Sequence, residues 1–227
     1  MAVGTSTTVG LVTALLAAFS LFLPAGVAQT QAHAAGSLRP PINHRWIPYG
    51  HKRKSEMAAY AKRHYGTRSN VLHPRVLVEH WTQSTAASPV FDEFRSDMPD
   101  IELHELPGLC SHFIVDTNGR IFQLVPLGVM CRHTVGLNDR AIGVENVGMS
   151  DSGVMNNTAQ RTATVRLARF LRCRFNIQIR DIIGHSESLR SRFHHERVRS
   201  LRGQTHDDMQ RATMNRFRAM VARTSCG

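Results

Sequence analysis

The sequence is short of acidic and aromatic residues. Its 227 residues include 17 Asp and Glu against 28 Lys and Arg, which gives a net charge of +11, and only 7% are aromatic. A surface this basic attracts polyanions, although the arginines could also simply reflect the base composition of the genome. Because no RNA-binding or DNA-binding motif accompanies the charge, we expect no nucleic-acid partner.

Several common motifs are also missing. No GxxxxGK or GxGxxG loop, no internal repeat and no CxxC pair occurs, which argues against a nucleotide-binding loop and a cysteine-based zinc site. The four cysteines are too few for a fold held mainly by disulfides: Cys110, Cys131, Cys173 and Cys226. Cys110 with Cys131 would join a strand start to the loop after the next strand, but spacing alone does not determine the pairing.

The first 35 residues contain no Asp, Glu, Lys or Arg. Leu, Ala, Val and Phe dominate residues 9–27, and Ala32-His33-Ala34 matches the pattern read by a signal peptidase. We therefore predict a signal peptide over residues 1–34, with cleavage after Ala28 as the second choice. An uncleaved membrane anchor is the alternative, although the apolar run is short for a membrane span. Either way, we expect the main domain to lie outside the cytoplasm. With cleavage it is secreted and extracellular, and its basic charge favours association with a cell wall rich in carboxylates or phosphates.

Hydrophobic patterning predicts one α/β domain after this segment. Residues 36–54 contain three prolines and many bases, which indicate an extended arm, and a first helix is predicted over Ser55 to Tyr65 with Ser55 as its cap. The arm and first helix occupy residues 35–66, and the main domain occupies residues 67–227. The alternation of elements predicts a central mixed β-sheet flanked by helices on both faces. Strands are predicted over 76–82, 141–147 and 181–186, a hairpin over 110–125 around Asn118-Gly119, and helices over 90–97, 160–175 and 209–222.

Two predicted strands deliver a histidine at their end. VLVEHWT carries His80, and DIIGHS carries His185. Imidazole is a common zinc ligand, so the two strand ends predict the start of a metal site, with a histidine satisfied inside the core as the alternative for each. A third strand, AIGVENV, carries Glu145 among apolar neighbours, where burial would raise the pKa of its carboxyl; a solvent-facing Glu is the alternative.

Five segments between Val76 and Met209 contain these residues in order: VEHWT, SHFIVDTNGRIFQLVP, CRHTVGLNDRAIGVENVG, IIGHSES and QTHDDM. Together they resemble the zinc-dependent N-acetylmuramoyl-L-alanine amidases (type 2 amidases), whose fold is shared with peptidoglycan recognition proteins. IPYGHKRKSEMAAYAKRHYG further resembles the N-terminal extension of secreted actinobacterial members. The resemblance implies hydrolysis of the amide between N-acetylmuramic acid and L-alanine of the peptidoglycan stem peptide.

The same resemblance implies a Zn²⁺ site in which His80 and His185 are two ligands. The identity of the third ligand is undecided, because this chain has a longer insertion after GHSES than compact members. His206 in THDDM aligns best, Asp208 is the second choice and His195 is the third. Zinc with three protein ligands keeps a position for water. Glu145 matches the family's general base, which accepts a proton from water and passes it to the leaving nitrogen.

Other site residues are also implied by the resemblance. His133 matches a histidine that lines the substrate cleft, and His112 is predicted to pack or to support the site. Some relatives carry Tyr and Lys where this chain has Ser111 and Gln204. Arg202 is then the nearest cation that could assist at the oxyanion.

The implied partner is the muropeptide stem of peptidoglycan, and the charge suggests anionic cell-wall polymers as further partners of a monomer. The competing function is a recognition module of the same fold that binds muropeptides without cutting them. Loss of the third ligand marks many such modules, whereas this chain retains His, Asp and Glu candidates. A basic structural protein of the wall would explain the charge, but not the strand-end histidines or Glu145.

Overall fold

The computed structural model describes residues 1–5, 39–223 and 226. The chain divides into two compact units, residues 1–35 and residues 36–227. In the first unit, the described residues 1–5 are exposed and have no regular secondary structure. Apart from residues 1–5, the predicted signal peptide lies outside the described residues, and so do both predicted cleavage positions. Within the described ranges, no helix is both long and apolar enough to cross a membrane.

A six-stranded mixed sheet forms the centre of the second unit, as predicted. Its order is β1-β4-β3-β5-β2-β6. The strands β3 and β4 form an antiparallel hairpin, and all other neighbouring strands are parallel. Gly119 takes the positive φ of 81° that the hairpin turn requires. The strands are β1 (Ile42–His44), β2 (Val76–Trp81), β3 (Phe113–Val115), β4 (Ile121–Gln123), β5 (Ala141–Asn146) and β6 (Ile182–Gly184).

Helices cover both faces of this sheet. Successive side chains of β3 point to opposite faces: Phe113 and Val115 join the core cluster that contains residues of α4 and α5, whereas Ile114 joins the cluster that contains residues of α2. The prediction of helices on both faces is therefore confirmed. The helices are α1 (His51–Tyr65), α2 (Ala87–Ser96), α3 (Asp151–Asn156), α4 (Thr158–Phe175) and α5 (Arg211–Ala222).

The predicted arm differs most from the structure. Residues Ile42–His44 pair in parallel with β4, so part of the arm is an edge strand. A strand of three residues is too short to show alternation in a sequence. The first helix begins at His51 rather than Ser55, and its N-cap is Gly50 without a side-chain hydrogen bond. The predicted cap at Ser55 is therefore wrong, because this residue lies inside the helix.

All four cysteines form disulfide bonds. Cys110 pairs with Cys131, the pairing considered from the sequence, and Cys173 pairs with Cys226. The second bond ties α4 to the chain that follows α5. Disulfides persist mainly in oxidising compartments.

Candidate active site

Three parallel strands bring the predicted site residues to one edge of the sheet. His80 near the end of β2 is the register partner of Glu145 near the end of β5. His185 follows directly on β6, which pairs with the other side of β2. Because the carboxyl ends of parallel strands meet at one edge, the three side chains converge there. We call this edge the carboxyl edge.

A third side chain, Asp208, completes a compact buried group with the two histidines. One ligand atom from each of His80, His185 and Asp208 lies within 4.8 Å of the others. One Asp208 carboxylate oxygen lies 3.1 Å from Nδ1 of His80, and the other lies 3.3 Å from Nδ1 of His185. Within the described residues it is the one group of histidine, cysteine and carboxylate side chains that could hold a metal ion, and it lies at the carboxyl edge.

The donor set of this group fits a zinc ion. Nε2 of His185 is buried and has no hydrogen-bond partner among the described residues, an arrangement that costs free energy unless another group meets the nitrogen. Burial lowers the pKa of His185 to about 4, so its imidazole is neutral near pH 7. Burial raises the pKa of Asp208, but hydrogen bonding to both histidines lowers it by more and holds it far below its usual range. Neutral imidazole and ionised carboxylate are the forms that bind a metal ion.

Glu145 faces the cleft from the neighbouring strand. Burial raises the pKa of its carboxyl to about 7, while His80 opposes the rise. The reciprocal effect appears at His80, where burial lowers the pKa but Glu145 and Asp208 raise it by more. A carboxyl group with a pKa near 7 is suited to both accept and release a proton at neutral pH.

Two further histidines lie close to this group. His133 lines the cleft, with Nδ1 3.1 Å from Nε2 of His80 and 2.9 Å from the hydroxyl of Thr134. His112 donates from Nε2 to the Val129 carbonyl and accepts from the Gly143 backbone N–H at Nδ1, so both ring nitrogens are engaged in the protein. A Cβ atom at Gly143 would lie 2.8 Å from the His133 ring, so only glycine permits this approach.

The structure selects among the three candidates for the third ligand. His206, the preferred candidate, is about half exposed; its Nε2 lies 2.9 Å from Glu102, and its ring stacks on His185 with 4.7 Å between centroids. His195 lies elsewhere, with Nε2 3.5 Å from Asp139. Among the three candidates, the Asp208 carboxylate is the one within 3.3 Å of both histidines, so the geometry favours Asp208 over His206. The physical reason is that Glu102 holds His206 at the cleft mouth.

The residues beside Asp208 are anchored by contacts from α3, β2 and β6. Asp151 at the start of α3 accepts hydrogen bonds from the backbone N–H groups of Met209 and Gln210 and from the Trp81 indole. Gly184 lies so close to the Met209 carbonyl that a Cβ atom there would clash. These contacts tie the chain after Asp208 to β2 and β6.

Arg202, the predicted oxyanion cation, is not among the cleft-lining residues. Its Nε donates to the Glu196 carbonyl at 3.0 Å. Gln204 does reach the cleft mouth, where its amide nitrogen lies 3.3 Å from Glu102. The structure therefore brings His80, His185, Glu145 and His133 to one cleft and leaves Arg202 outside it.

The cleft has a volume of about 840 Å³, and one wall was not predicted from the sequence. Residues 98–103 form this wall. Asp100 accepts hydrogen bonds from the Leu103 N–H and from the buried Arg132 guanidinium, which also donates to the Pro107 carbonyl. An Asp after Pro99 is a turn signal, but its partner Arg132 is distant in sequence.

A buried ion network supports this wall from behind. His64 of α1 lies 2.8 Å from the Glu196 carboxylate and 3.1 Å from that of Glu105, and the Tyr60 ring stacks on it at 3.8 Å. Arg63 also pairs with Glu105. Burial lowers the pKa of His64, but the two carboxylates raise it by more. The network joins α1, the wall loop and the segment before Asp208.

Comparison with known proteins gives a family and a fold. A family model described as N-acetylmuramoyl-L-alanine amidase matches residues 70–208. No match was found among curated protein sequences.

Solved structures with a similar fold include a mutant endolysin from Bacillus subtilis, with a TM-score of 0.51 and 18% identity over 81% of this chain and 99% of that one. The amidase LysCS of Clostridium intestinale gives a TM-score of 0.47 and 22% identity, over 67% of this chain and 85% of that one. The amidase AmiD from E. coli, solved with anhydro-N-acetylmuramic acid-L-Ala-D-γ-Glu-L-Lys, gives 0.38 and 26%, over 52% and 50%. At 18% identity, the similarity to the Bacillus subtilis endolysin shows the fold alone.

Proposed function

The chain belongs to the N-acetylmuramoyl-L-alanine amidase family. We propose that it is a zinc-dependent enzyme that hydrolyses the amide between N-acetylmuramic acid and L-alanine in peptidoglycan. The observation that carries the proposal is the buried group of His80, His185 and Asp208, with Glu145 beside it in the cleft. Two imidazoles and one carboxylate are a donor set found in catalytic zinc sites.

Each side chain has a role in this mechanism. His80, His185 and Asp208 would hold the metal. A bound zinc ion supplies a water of lowered pKa and polarises the scissile carbonyl. Glu145 accepts a proton from the attacking water and donates it to the departing alanine nitrogen, for which its pKa of about 7 is suited. His133 lines the same cleft and is proposed to meet the substrate, whereas Arg202 is not among the cleft-lining residues and donates to the Glu196 carbonyl instead.

We also propose that the enzyme is exported and acts as a monomer at the cell wall, after removal of residues 1–34. The two disulfide bonds support export, because such bonds persist outside the cytoplasm. The net charge of +11 supports contact with anionic wall polymers.

The alternative function, a recognition module that does not cleave, is disfavoured by one observation. Asp208 supplies a third buried donor, and Glu145 supplies a base with a pKa near 7. A binding module would need neither group in this form.

The proposal is tested with Glu145→Gln and with the double variant His80→Ala/His185→Ala. We expect wild type and Glu145→Gln to bind about one zinc per chain, and Glu145→Gln to release L-alanine amino termini from peptidoglycan about 10²–10⁴-fold more slowly. The double variant should lose both metal and activity. The matched control is His44→Ala/His51→Ala, which removes two exposed histidines.

Mass spectrometry of the digested peptidoglycan identifies the bond. Free stem peptides beginning with L-alanine support the amidase, intact muropeptides would support the binding module, and glycan fragments would identify a glycosidase. Full zinc occupancy in His80→Ala/His185→Ala would reject the metal site.

A further inference from the structure

A second cluster of charged side chains lies at the opposite edge of the same sheet. Arg75 and Arg140 immediately precede Val76 and Ala141, which are register partners at the starts of β2 and β5. The two arginines are therefore neighbours, and the Arg75 N–H donates to the Arg140 carbonyl at 2.8 Å. His80 is five residues further along the chain, which at about 3.3 Å per residue places the cluster roughly 16 Å from the metal group.

A third arginine joins the cluster through the start of β6. Arg192 pairs with both carboxylate oxygens of Asp181, at 3.1 and 2.8 Å. An open cavity of about 480 Å³ is lined by these arginines and their neighbours. We call the lining residues the amino-edge cluster: Arg75, Arg140, Arg192, Phe193, His194 and His195.

The cluster has more cations than counter-ions. Arg140 lies 3.2 Å from Asp139, and Arg192 is paired with Asp181, but Arg75 forms no ion pair with any residue that the structure describes. The Arg75 guanidinium instead lies 5.5 Å from the centroid of Phe193. Like charges on adjacent strands are destabilising, so the arrangement costs free energy that an anion would recover.

The chemistry of the cluster identifies the class of anion. Guanidinium groups bind phosphate and carboxylate through two parallel hydrogen bonds. Arg140 and Arg192 remain about half exposed in spite of their carboxylate partners, so each keeps donors directed to solvent. An open cavity with several separate cations fits a chain of repeated charges better than a single small anion.

Nucleic acid fits this surface less well. Proteins that bind single strands stack bases on aromatic rings. The phenyl ring of the cluster, Phe193, has the guanidinium groups of Arg75 and Arg192 over it, at 5.5 and 4.5 Å from its centroid. Two cations therefore already contact this ring, which leaves the imidazoles of His194 and His195 as the other rings on which a base could stack.

We infer that the amino-edge cluster binds phosphate or carboxylate groups of a linear polyanion of the cell wall, at a site separate from the substrate cleft. The identification of the polymer as a wall component rests on the proposed function. The binding of a polyanion by the cluster does not depend on it. Such binding would hold the enzyme on the wall while the carboxyl edge remains free to meet stem peptides.

The test measures binding of fluorescent polyphosphate and polyglutamate to the full chain, without any muropeptide. We expect Arg75→Gln/Arg140→Gln to weaken binding at least tenfold. The matched control, Arg166→Gln/Arg216→Gln, removes the same charge from exposed positions of α4 and α5 and should weaken binding about twofold or less. Tighter binding of polyphosphate assigns phosphate as the ligand group, and tighter binding of polyglutamate assigns carboxylate.

Several results would overturn the inference. Equal losses in the two double variants would show that only the overall charge matters, and tighter binding of single-stranded DNA of equal charge would show that the polymer class is wrong. Hydrogen exchange of the wild type covers the case of a misfolded variant: polyphosphate should protect residues 73–75, 139–141 and 191–195, and protection elsewhere rejects the site. Absence of amidase activity in the wild type would refute the proposed function and leave these binding results unaffected.

Discussion

The molecule contains two buried clusters of histidine and carboxylate that differ in one respect. In the network behind the cleft wall, both ring nitrogens of His64 face carboxylates, and the pKa of His64 is raised although burial opposes this. At the carboxyl edge, Nε2 of His185 has no partner among the described residues, and burial lowers its pKa to about 4. In the first cluster both imidazole nitrogens of the histidine meet protein carboxylates, whereas in the second one imidazole nitrogen meets no described group and is left for a ligand. The contrast distinguishes a structural ion network from a ligand site better than residue types do.

The largest expected effect concerns Asp208, the third ligand that the geometry favours. Asp208→Asn should lose zinc and reduce amidase activity by more than about 100-fold, because even the outer-shell partners of a metal site are worth about 10–100-fold. Asp207→Asn is the neighbouring control and should keep its zinc. Metal analysis and release of L-alanine amino termini measure both effects. If Asp208→Asn keeps its zinc while His206→Ala loses it, the third ligand is His206 after all.

A smaller effect tests whether the two clusters contribute differently to the free energy of unfolding. In metal-free protein, His64→Ala should lower the free energy of unfolding by about 3–5 kcal/mol, because it leaves the Glu196 carboxylate buried without its partner. His185→Ala should lower it by less, about 1–3 kcal/mol, because the buried Asp208 carboxylate loses His185 but keeps His80 as a partner. Urea unfolding in the presence of a chelator measures both values. Equal losses would remove the distinction between the clusters.

The smallest expected effect is the pH dependence of the His64 network. Since the folded-state pKa of His64 is raised above its unfolded value of 6.5, its stabilisation is complete below pH 6.5 and is lost as pH rises through the folded pKa. The slope is at most about 1.4 kcal/mol per pH unit. His64→Gln should flatten urea-derived stability above pH 6.5. An unchanged slope in this variant would assign the dependence to another group.

Much of the site could be predicted because it follows from strands. His80 and His185 follow apolar runs and Glu145 lies within one, and parallel pairing of the strands then places all three at one edge. The choice between His206 and Asp208 could not be made in this way. Both lie in an irregular segment without periodicity, and Glu102, which holds His206, is distant in sequence.

The fold shows the same division between local and distant information. Long apolar periods predicted the main helices and the mixed sheet. The edge strand β1 and the short helix α3 were missed because three and six residues carry little pattern. The network around His64 joins residues from three distant parts of the chain, and no local signal marks it.

The anchoring of Asp208 by Asp151 has a consequence for how such enzymes can diversify. His185 is placed by β6, and the chain at Met209 and Gln210 is placed by Asp151, but the segment 186–207 also contacts both of its ends. The Ser186 N–H donates to the Asp208 carbonyl, and the Thr205 hydroxyl donates to the His185 carbonyl. A graft of a new recognition loop into this segment therefore has to keep Ser186, Thr205 and the buried Glu196, and only the residues between them are free to vary in length.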